Sequence, residues 1–581
     1  MISSRLLSSH QNITSTALSK ILSSANKALT SSSSSSQQQR SLYENVSMNN
    51  NNDQINSTTT TRQQYQFKRQ RSWLLQESNT NSTKSSSYVT YNNSNPFSTY
   101  FIQQNNHQSS SLSSCQYSKS SSSPPVQIGQ PTHETHPHLL AKGEVIKGVQ
   151  LQEFKDRRKR FISAFADGSI VILFTPPEPM MSYDIPFSFR QNTNFFYYTG
   201  FNEPEGILVM EKISDNLHTE TMFVREKIPE KELWEGPRCG PSNAVSKFGV
   251  NNAYTLDELH ILNDIIRKSS SRGIFINSVR WDNLKIDYNN KTLYDVEPYL
   301  QMSRLVKSES EIKMMMESGS IAGQSFKDTM KFVKPGMNEY QASAFFEFSV
   351  KNRGAQRMSY PPVVAGGNNA NTLHYISNNM LLKSGDLLLM DAGCEFWGFT
   401  SDITRTFPVN GKFTDAQKHL YEAVLDVNKK CIEMCRAGQT INTIHRYSVE
   451  LIIGHLLRLG ILDREPGTTS SAPITKQEIE DHVRLGKYHK FYPHSIGHYL
   501  GMDTHDTMSI PYGEILKPGM IITIEPGIYI NEYDHEVSEQ WRGINIRVED
   551  DVAITQDDPI NLTIDAPKEV DQIEYIMNSD N

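Results

Sequence analysis

The feature that most constrains this 581-residue chain is a group of acidic side chains and one histidine, placed in or beside apolar runs of its last third. They are Asp391 in LLLMDAGCEF, Asp402 in SDITRTFP, His498 in HSIGHYLG, Glu525 in ITIEPGIYI and Glu549 in INIRVEDDV. Burying four carboxylates and an imidazole is costly unless a cation compensates them. The sequence therefore predicts a fold that gathers these residues around a pair of metal ions, which indicates a hydrolase.

The first part of the chain has a very different composition. Residues 1 to about 130 are mostly Ser, Asn, Gln and Thr, as in SSSSSSQQQ and MNNNNDQ. Such a composition cannot bury enough apolar surface to offset the loss of chain entropy. We therefore expect a disordered low-complexity head over residues 1–140, followed by two folded domains over 141–300 and 301–570.

The extreme N-terminus has a composition of its own. The first 43 residues contain four basic residues and no Asp or Glu, with Leu, Ile and Ala in an imperfect amphipathic pattern. Basic, Ser-rich, acid-free segments of this kind are typical of mitochondrial transit peptides. We therefore predict a mitochondrial location. The alternative is a head that merely lacks acids, on an enzyme that stays in the cytoplasm.

Charge, hydropathy and cysteine content exclude several classes of protein. The formal net charge is −7 and no long basic run follows residue 130, so no nucleic-acid partner is expected. The sequence contains no uninterrupted stretch of about 18 apolar residues, so no transmembrane helix is expected. Five cysteines in a chain of this length do not form a disulfide framework, which favours a reduced, intracellular protein.

The segment between about residues 145 and 295 alternates predicted strands with predicted helices. An amphipathic run at 149–164 and a periodic run at 257–268 predict helices. Short apolar runs separated by Pro, Gly and Asn predict strands. The predicted strands are SIVILF (169–174), FFYYTGF (195–201), GILVMEK (206–212), TMFV (221–224) and GIFIN (273–277). This alternation predicts an α/β N-terminal domain.

The second folded segment, about 305–570, holds every candidate ligand. Apolar spacing of three and four residues predicts helices, and the first of them begins with a Ser and acids typical of helix capping. The predicted helices are 308–332, 338–353, 414–435 and 441–460. The predicted strands are 381–396, 400–409, GMIITIEPGIYI and GINIRVEDDVAIT. Together they predict an α+β domain.

Five motifs in the folded segments carry a family resemblance. They are RQNTNFFYYTGFNEPEG (190–206), DAGCEFWGFTSDITRTFPVNGKFT (391–414), HSIGHYLGMDTHD (494–506), EPGIYI and RGINIRVEDD. This set resembles the aminopeptidase P branch of the pita-bread metallopeptidases, and its mitochondrial members in particular. The resemblance spans the folded part but not the head, and it implies an α+β pita-bread catalytic domain behind the α/β N-terminal domain.

The resemblance also implies which residue binds which ion. Asp391 would bind one metal ion alone, Asp402 and Glu549 would bridge both, and His498 and Glu525 would complete the other. Two divalent ions, manganese by resemblance, would hold a bridging hydroxide. A set of carboxylates with one imidazole and no thiol also favours hard or borderline ions, but it leaves cobalt, zinc and iron open.

Five further residues match positions around the family's ligands: His374, His494, His505, Tyr529 and Arg547. By resemblance the three histidines hold the scissile carbonyl and move protons, since imidazole titrates near neutral pH. Tyr529 and Arg547 would fix the geometry of the ligands and compensate their charge. Arg405 is predicted to pair with one of the site carboxylates, with a plain surface role as the alternative.

The activity that the resemblance implies is a dinuclear metallo-aminopeptidase. It would remove one N-terminal residue from peptides or proteins that carry proline in the second position, as a homo-oligomer of two or four chains. Single-residue trimming of imported mitochondrial precursors is a second substrate class. The alternatives are a prolidase that acts on Xaa-Pro dipeptides and a non-catalytic binding protein of the same fold, which would have lost ligands or histidines.

Overall fold

The computed structural model describes residues 126–271, 273–279, 284–464, 469 and 472–579. The predictions for the transit segment and most of the head lie outside these residues. Residues 126–140 were expected to belong to the head, yet Ile128 and Leu140 are buried. The Gln130 amide also donates a hydrogen bond of 3.0 Å to the carbonyl oxygen of Gly200. The boundary expected at residue 140 therefore lies too far along the chain.

The described part of the N-terminal domain is built on a mixed six-stranded sheet. The strands of this domain are β1 (Glu144–Ile146), β2 (Val149–Gln150), β3 (Ile170–Phe174), β4 (Met180–Ser182), β5 (Ile185–Pro186), β6 (Ile207–Ser214), β7 (Leu217–Val224), β8 (Asn252–Thr255), β9 (Gly273–Ile276) and β10 (Thr292–Asp295). The large sheet has the order β10-β9-β3-β6-β7-β8. All five residues of β3 are buried, because helices cover this central region on both faces.

Six helices in the described residues pack around this sheet or lead out of it. They are α1 (Leu151–Ser163), α2 (Thr193–Thr199), α3 (Pro229–Glu235), α4 (Gly240–Phe248), α5 (Leu259–Lys268) and α6 (Glu297–Arg304). Helix α6 is the last element before the catalytic domain, and it carries Arg304 at its C-terminal end. Its position makes it the link between the two domains.

The structure has helix α2 where the sequence predicted a strand at FFYYTGF. Aromatic residues favour strands by propensity. Here, however, the Asn192 side chain caps the first turn by accepting a hydrogen bond from the backbone N–H of Phe195 at 3.1 Å. Gly200, with φ +66°, ends the helix in the left-handed conformation. All seven residues of the helix are buried, so the aromatic side chains serve the core.

The catalytic domain places helices around four small antiparallel sheets. Its helices are α7 (Glu309–Phe332), α8 (Glu339–Asn352), α9 (Asp415–Glu433), α10 (Ile441–Arg458), α11 (Lys476–Leu485) and α12 (Val570–Asn578). Its strands are β11 (Arg357–Met358), β12 (Val363–Gly366), β13 (Leu387–Asp391), β14 (Cys394–Phe396), β15 (Phe399–Thr400), β16 (Thr404–Pro408), β17 (Ile521–Ile524), β18 (Gly527–Tyr529), β19 (Asn545–Arg547), β20 (Asp550–Ala553) and β21 (Ile560–Asn561). The predicted α/β and α+β domains are thus confirmed.

Two strand pairs position the acidic residues. Strands β13 and β16 are antiparallel, with Asp391 opposite Thr404. Strands β17 and β20 are also antiparallel, with Ile524 opposite Asp550, so Glu525 and Glu549 stand at the same level of the pair.

Among the described residues, no helix combines the length and apolarity needed to cross a membrane.

Candidate metal centre

The predicted ligands converge where these two strand pairs meet. Ligand atoms of Asp402, His498 and Glu549 all lie within 4.8 Å of one another. The Nε2 atom of His498 is 3.5 Å from Oδ2 of Asp402 and 3.8 Å from Oε1 of Glu525. Asp391 joins this group at the end of β13. Residues separated by more than 150 positions in sequence therefore share one cluster, in which Asp402, His498 and Glu549 are buried and the other two carboxylates are half-buried.

A tyrosine that the sequence analysis missed joins the two aspartates. The hydroxyl group of Tyr360 lies 2.5 Å from Oδ1 of Asp391, and it is also within hydrogen-bonding distance of Asp402. One hydroxyl proton can be donated to only one of the two carboxylates at a time. Tyr360 therefore holds both carboxylates close together from one side.

The imidazole of His498 is oriented by the backbone. Its Nδ1 atom lies 3.1 Å from the carbonyl oxygen of Tyr499, so Nδ1–H donates there and Nε2 faces the carboxylates. The preceding Gly497 is required by close packing, because a Cβ atom there would lie 1.9 Å from the carbonyl oxygen of Thr523. Only glycine allows the two backbones to approach and bring His498 into the cluster.

The pKa values of the side chains in the cluster are shifted strongly from their ordinary values. Burial and the neighbouring charge of Asp402 raise the pKa of Glu549 well above its ordinary value. Burial raises the pKa of Glu525 to about 7 against the opposing charge of His498. Burial would lower the pKa of His498, but the hydrogen bond to Asp402 and the charge of Glu525 raise it to about 9. The raised pKa values show that the negative charges of these carboxylates lie close together with too little positive charge to compensate them. A site of carboxylate oxygens and one imidazole suits divalent cations, which would supply that charge.

Arg547 supplies one positive charge beside the cluster. Its Nη2 atom is 2.6 Å from Oδ2 of Asp391, and its Nε donates to Oγ1 of Thr404 at 2.9 Å. The Thr404 hydroxyl group in turn donates to Oε2 of Glu549 at 2.6 Å. The remaining guanidinium nitrogen donates to the hydroxyl oxygen of Tyr529 at 2.8 Å. Arg547 thus orients ligands on both strand pairs.

The three predicted substrate-side histidines differ in their surroundings. His494 lies 2.9 Å from the Tyr529 hydroxyl through Nε2, and burial together with the charge of Arg547 lowers its pKa to about 3. His505 is exposed, and its ring centroid is 4.4 Å from that of His498. His374 is also exposed, and its charge contributes to the lowered pKa of His494 and of His505, which places it near both.

Arg405 does not contact the side chain of any predicted ligand. It is fully buried, which excludes the surface role, and its Nη2 atom is 2.7 Å from Oδ1 of Asp550. The rest of its guanidinium group donates to backbone carbonyl oxygens, including that of Pro567 at 3.0 Å. Asp550 follows Glu549, and side chains of successive strand residues point to opposite faces. Arg405 therefore anchors the strand behind the cluster.

A buried ion cluster holds the loop that carries His505. The Arg304 guanidinium donates to both Asp506, which is 2% exposed, and Asp503. The Nζ atom of Lys307 is 3.0 Å from Oδ2 of Asp506. Because Arg304 and Lys307 belong to the interdomain link, this link fixes the position of the loop from 503 to 506.

The chain matches known proteins over both domains. The family model for metallopeptidase family M24 matches residues 313–556, and that for the aminopeptidase P N-terminal domain matches residues 154–275. Xaa-Pro aminopeptidase 3 of Dictyostelium discoideum is 54% identical over 475 residues, covering 78% of this chain and 88% of the relative. Intermediate cleaving peptidase 55, mitochondrial, of Arabidopsis thaliana is 41% identical over 460 residues, covering 78% and 88%. The structure of aminopeptidase P from E. coli with the inhibitor Pro-Leu superposes with a TM-score of 0.68 at 33% identity, covering 74% of this chain and 98% of that one.

The fold, the cluster and these matches place the chain in metallopeptidase family M24. Within that family it belongs to the Xaa-Pro aminopeptidases, the aminopeptidase P branch, and it is a metallo-aminopeptidase that acts on peptide N-termini. The predicted resemblance, which pointed to Xaa-Pro aminopeptidase 3, is confirmed. Membership of the family implies divalent metal ions.

Proposed function

We propose that the enzyme removes the N-terminal residue from peptides and proteins with proline in the second position, with the help of two divalent ions. The proposed ligands are Asp391, Asp402, His498, Glu525 and Glu549. The convergence of these buried and half-buried side chains beside three histidines is the observation that carries the proposal. When bound, two ions would supply Lewis acidity and bring the pKa of water towards neutrality. Manganese is the proposed metal, because oxygen-rich sites suit it.

The proposed roles of the carboxylates follow from their neighbours. Ligand atoms of Asp402 and Glu549 lie within 4.8 Å of each other and of His498, which supports a bridging role for both carboxylates. Asp391 is held by Arg547 on one oxygen and by Tyr360 on the other, which supports binding to one ion only. The positive charge of Arg547 offsets one of the four carboxylates, so two divalent ions would leave the site with a small positive charge that favours a polarised carbonyl oxygen.

The proposed roles of the histidines follow from exposure and hydrogen bonding. His374 and His505 are exposed beside the cluster, so both can contact a substrate and donate or accept a proton during the reaction. His494 is held by Tyr529, and burial keeps its pKa at about 3, which supports a neutral imidazole that orients the scissile carbonyl rather than an acid.

Peptide hydrolysis by the purified, metal-loaded enzyme tests the proposal. We expect release of one residue from Xaa-Pro pentapeptides, with kcat/KM well above that for matched Xaa-Ala peptides. Hydrolysis of Xaa-Pro dipeptides alone would make the enzyme a prolidase instead. Failure to cleave any peptide would favour the non-catalytic binding protein, although the complete set of ligands and histidines supports an enzyme.

Location and assembly complete the proposal. We infer that the enzyme acts in mitochondria, where it trims one residue from imported precursors, since one of its relatives is named a mitochondrial intermediate cleaving peptidase. We also infer a homo-oligomer of two or four chains. Light scattering on the full chain tests the assembly, and sequencing of mitochondrial N-termini in cells lacking the enzyme tests the substrates: each substrate should gain one residue.

A further inference from the structure

His374 lies on an irregular stretch of chain, residues 366–380, which we call the His374 segment. His374 belongs to no helix or strand and is exposed. Its neighbours Leu373 and Tyr375 are half-buried, and both pack against the apolar cluster that contains Tyr529. Since regular backbone structure does not fix His374, its position depends on the side chains that hold the segment.

One buried carboxylate holds the His374 segment at four points. Glu339, the first residue of α8, is 0% exposed. Its Oε1 atom accepts hydrogen bonds from the backbone N–H of Gly366 and from the Asn369 side-chain amide, both at 2.8 Å. Its Oε2 atom accepts from the Tyr375 hydroxyl group and from the backbone N–H of Met380, both at 2.9 Å. The carboxylate thus connects both ends of the segment with its middle.

The four partners of Glu339 are neutral groups. Burying a carboxylate is costly unless hydrogen bonds compensate it, and four donors at the N-terminus of a helix provide that compensation. An apolar side chain at this position would avoid the cost of burying a charge, but it could not bind the segment. The carboxylate at position 339 therefore contributes more to the position of the segment than to the apolar core.

We propose that Glu339 is a positioning residue for His374, because it fixes the segment on which His374 lies. The inference rests on the proposed function, which gives His374 its role at the substrate. His374 lies near His494 and His505, so a shift of the segment changes the position of its imidazole relative to both. Glu339 acts through the segment and takes no part in the reaction itself.

A further anchor lets the segment shift without unfolding the domain. The side chain of Asn378 accepts a hydrogen bond from the backbone N–H of Val364 at 3.0 Å and donates one to the carbonyl oxygen of Pro362 at 2.9 Å. These bonds tie the segment to β12 and the residue before it, and they are independent of Glu339. We therefore expect variants of Glu339 to fold with a displaced segment.

Replacing Glu339 by glutamine tests the proposal on the full, metal-loaded enzyme. Whichever oxygen becomes the NH₂ group, the backbone N–H of Gly366 or of Met380 would face a donor and lose its partner. Since a misplacement of about 1 Å can cost about 10²-fold in rate, kcat should fall by about tenfold or more. KM should change by less than about twofold, as expected when an interaction of the transition state is lost. Metal content should stay unchanged.

Glu347→Gln is the matched control, because it makes the same change on the same helix. The Glu347 side chain is 45% exposed and pairs with Lys351 on the surface. Both kinetic constants should keep their wild-type values in this variant. Amide hydrogen exchange of residues 372–380, measured by mass spectrometry, should be faster in Glu339→Gln and unchanged in Glu347→Gln.

Double variants separate positioning of His374 from a general structural loss. If Glu339 acts through His374, Glu339→Gln should lower kcat by less than about twofold once His374→Ala is present. Tyr375→Phe keeps the carboxylate and both backbone hydrogen bonds, so it should cause a smaller loss of about three- to tenfold, which should also disappear in His374→Ala. Should Glu339→Gln not fold, the Tyr375→Phe pair alone decides.

The outcomes distinguish this inference from the proposed function. If His374→Ala lowers kcat and Glu339→Gln lowers it by the same further factor with and without His374, the inference is overturned and the proposed function stands. Unchanged hydrogen exchange of residues 372–380 in Glu339→Gln would also overturn the inference. An unchanged kcat in His374→Ala would contradict the proposed role of His374, and the inference would fail with it.

Discussion

Replacing Asp506 by asparagine should destabilise the enzyme more than any other single-atom change in the cluster that holds the His505 loop. The Asp506 carboxylate is 2% exposed and contacts Arg304 and Lys307. In Asp506→Asn, two buried cations would face a neutral amide. Lys307 would keep one contact of 3.4 Å to the carbonyl oxygen of Leu305. Arg304 would keep Asp503, whose side chain is 35% exposed.

The expected loss of unfolding free energy in Asp506→Asn follows from this imbalance of buried charge. Removing one partner of a buried ion pair costs about 3–5 kcal/mol, because the other charge stays buried without compensation. Asp503→Asn is the matched control, since it makes the same change in the same network at a carboxylate that water reaches. A partly exposed pair contributes about 1 kcal/mol or less. The structure therefore predicts that Asp506→Asn lowers the free energy of unfolding several times more than Asp503→Asn does.

Urea unfolding of the metal-loaded enzymes measures the difference, with the midpoint and slope fitted for each variant. Burial would raise the pKa of Asp506, but Arg304 and Lys307 hold it below its ordinary value. A carboxylate with a depressed pKa stabilises the fold above its unfolded pKa of about 3.9, and the effect is lost as the pH falls through the folded value. The penalty should therefore be constant from pH 6 to 8 and shrink only below about pH 4. Equal penalties for the two variants would refute the reasoning.

Three further predictions concern the site, the fold and the head. His374→Ala should lower kcat by about 10²-fold or more with unchanged metal content, and metal loss would instead make His374 a ligand. Gly497→Ala should abolish stable folding, because its Cβ atom would lie 1.9 Å from a backbone oxygen, whereas Gly454→Ala in α10, with its nearest atom at 3.7 Å, should leave the melting temperature unchanged or raised. Deleting residues 1–43 should leave the purified enzyme active, and a reporter fused to residues 1–60 should enter mitochondria; a diffuse cytosolic signal would contradict the prediction.

The sequence predicted the acidic cluster because charge in an apolar strand is a strong signal. Asp391, Glu525 and Glu549 stand out as carboxylates that need compensation, and the motifs around them supplied their order along the chain. Tyr360 was missed because a neutral phenol in SYPPVV carries no such signal. Only the fold shows that its hydroxyl group lies between Asp391 and Asp402.

The remaining differences have local or long-range causes. Arg405 was expected to pair with a carboxylate of the cluster. The sequence alone does not show which acidic residues of VEDDV face the cluster and which face away from it. Strand alternation turns Asp550 away from Glu549, and Arg405 follows it. The contact between Arg304 and Asp506 joins positions 202 residues apart, so no local pattern predicts it. Helix α2 formed where aromatic propensity favoured a strand, because Asn192 and Gly200 cap it.

The most direct test of the metal centre is the metal content of the purified enzyme and of Asp402→Ala. Both proteins are loaded with manganese, freed of excess metal and analysed by mass spectrometry, with the exposed Asp557→Ala as control. The proposed bridging role predicts two ions per chain in the wild type and the control, and at most one, with no peptidase activity, in Asp402→Ala. Two bound ions and full activity in Asp402→Ala would contradict the centre described above.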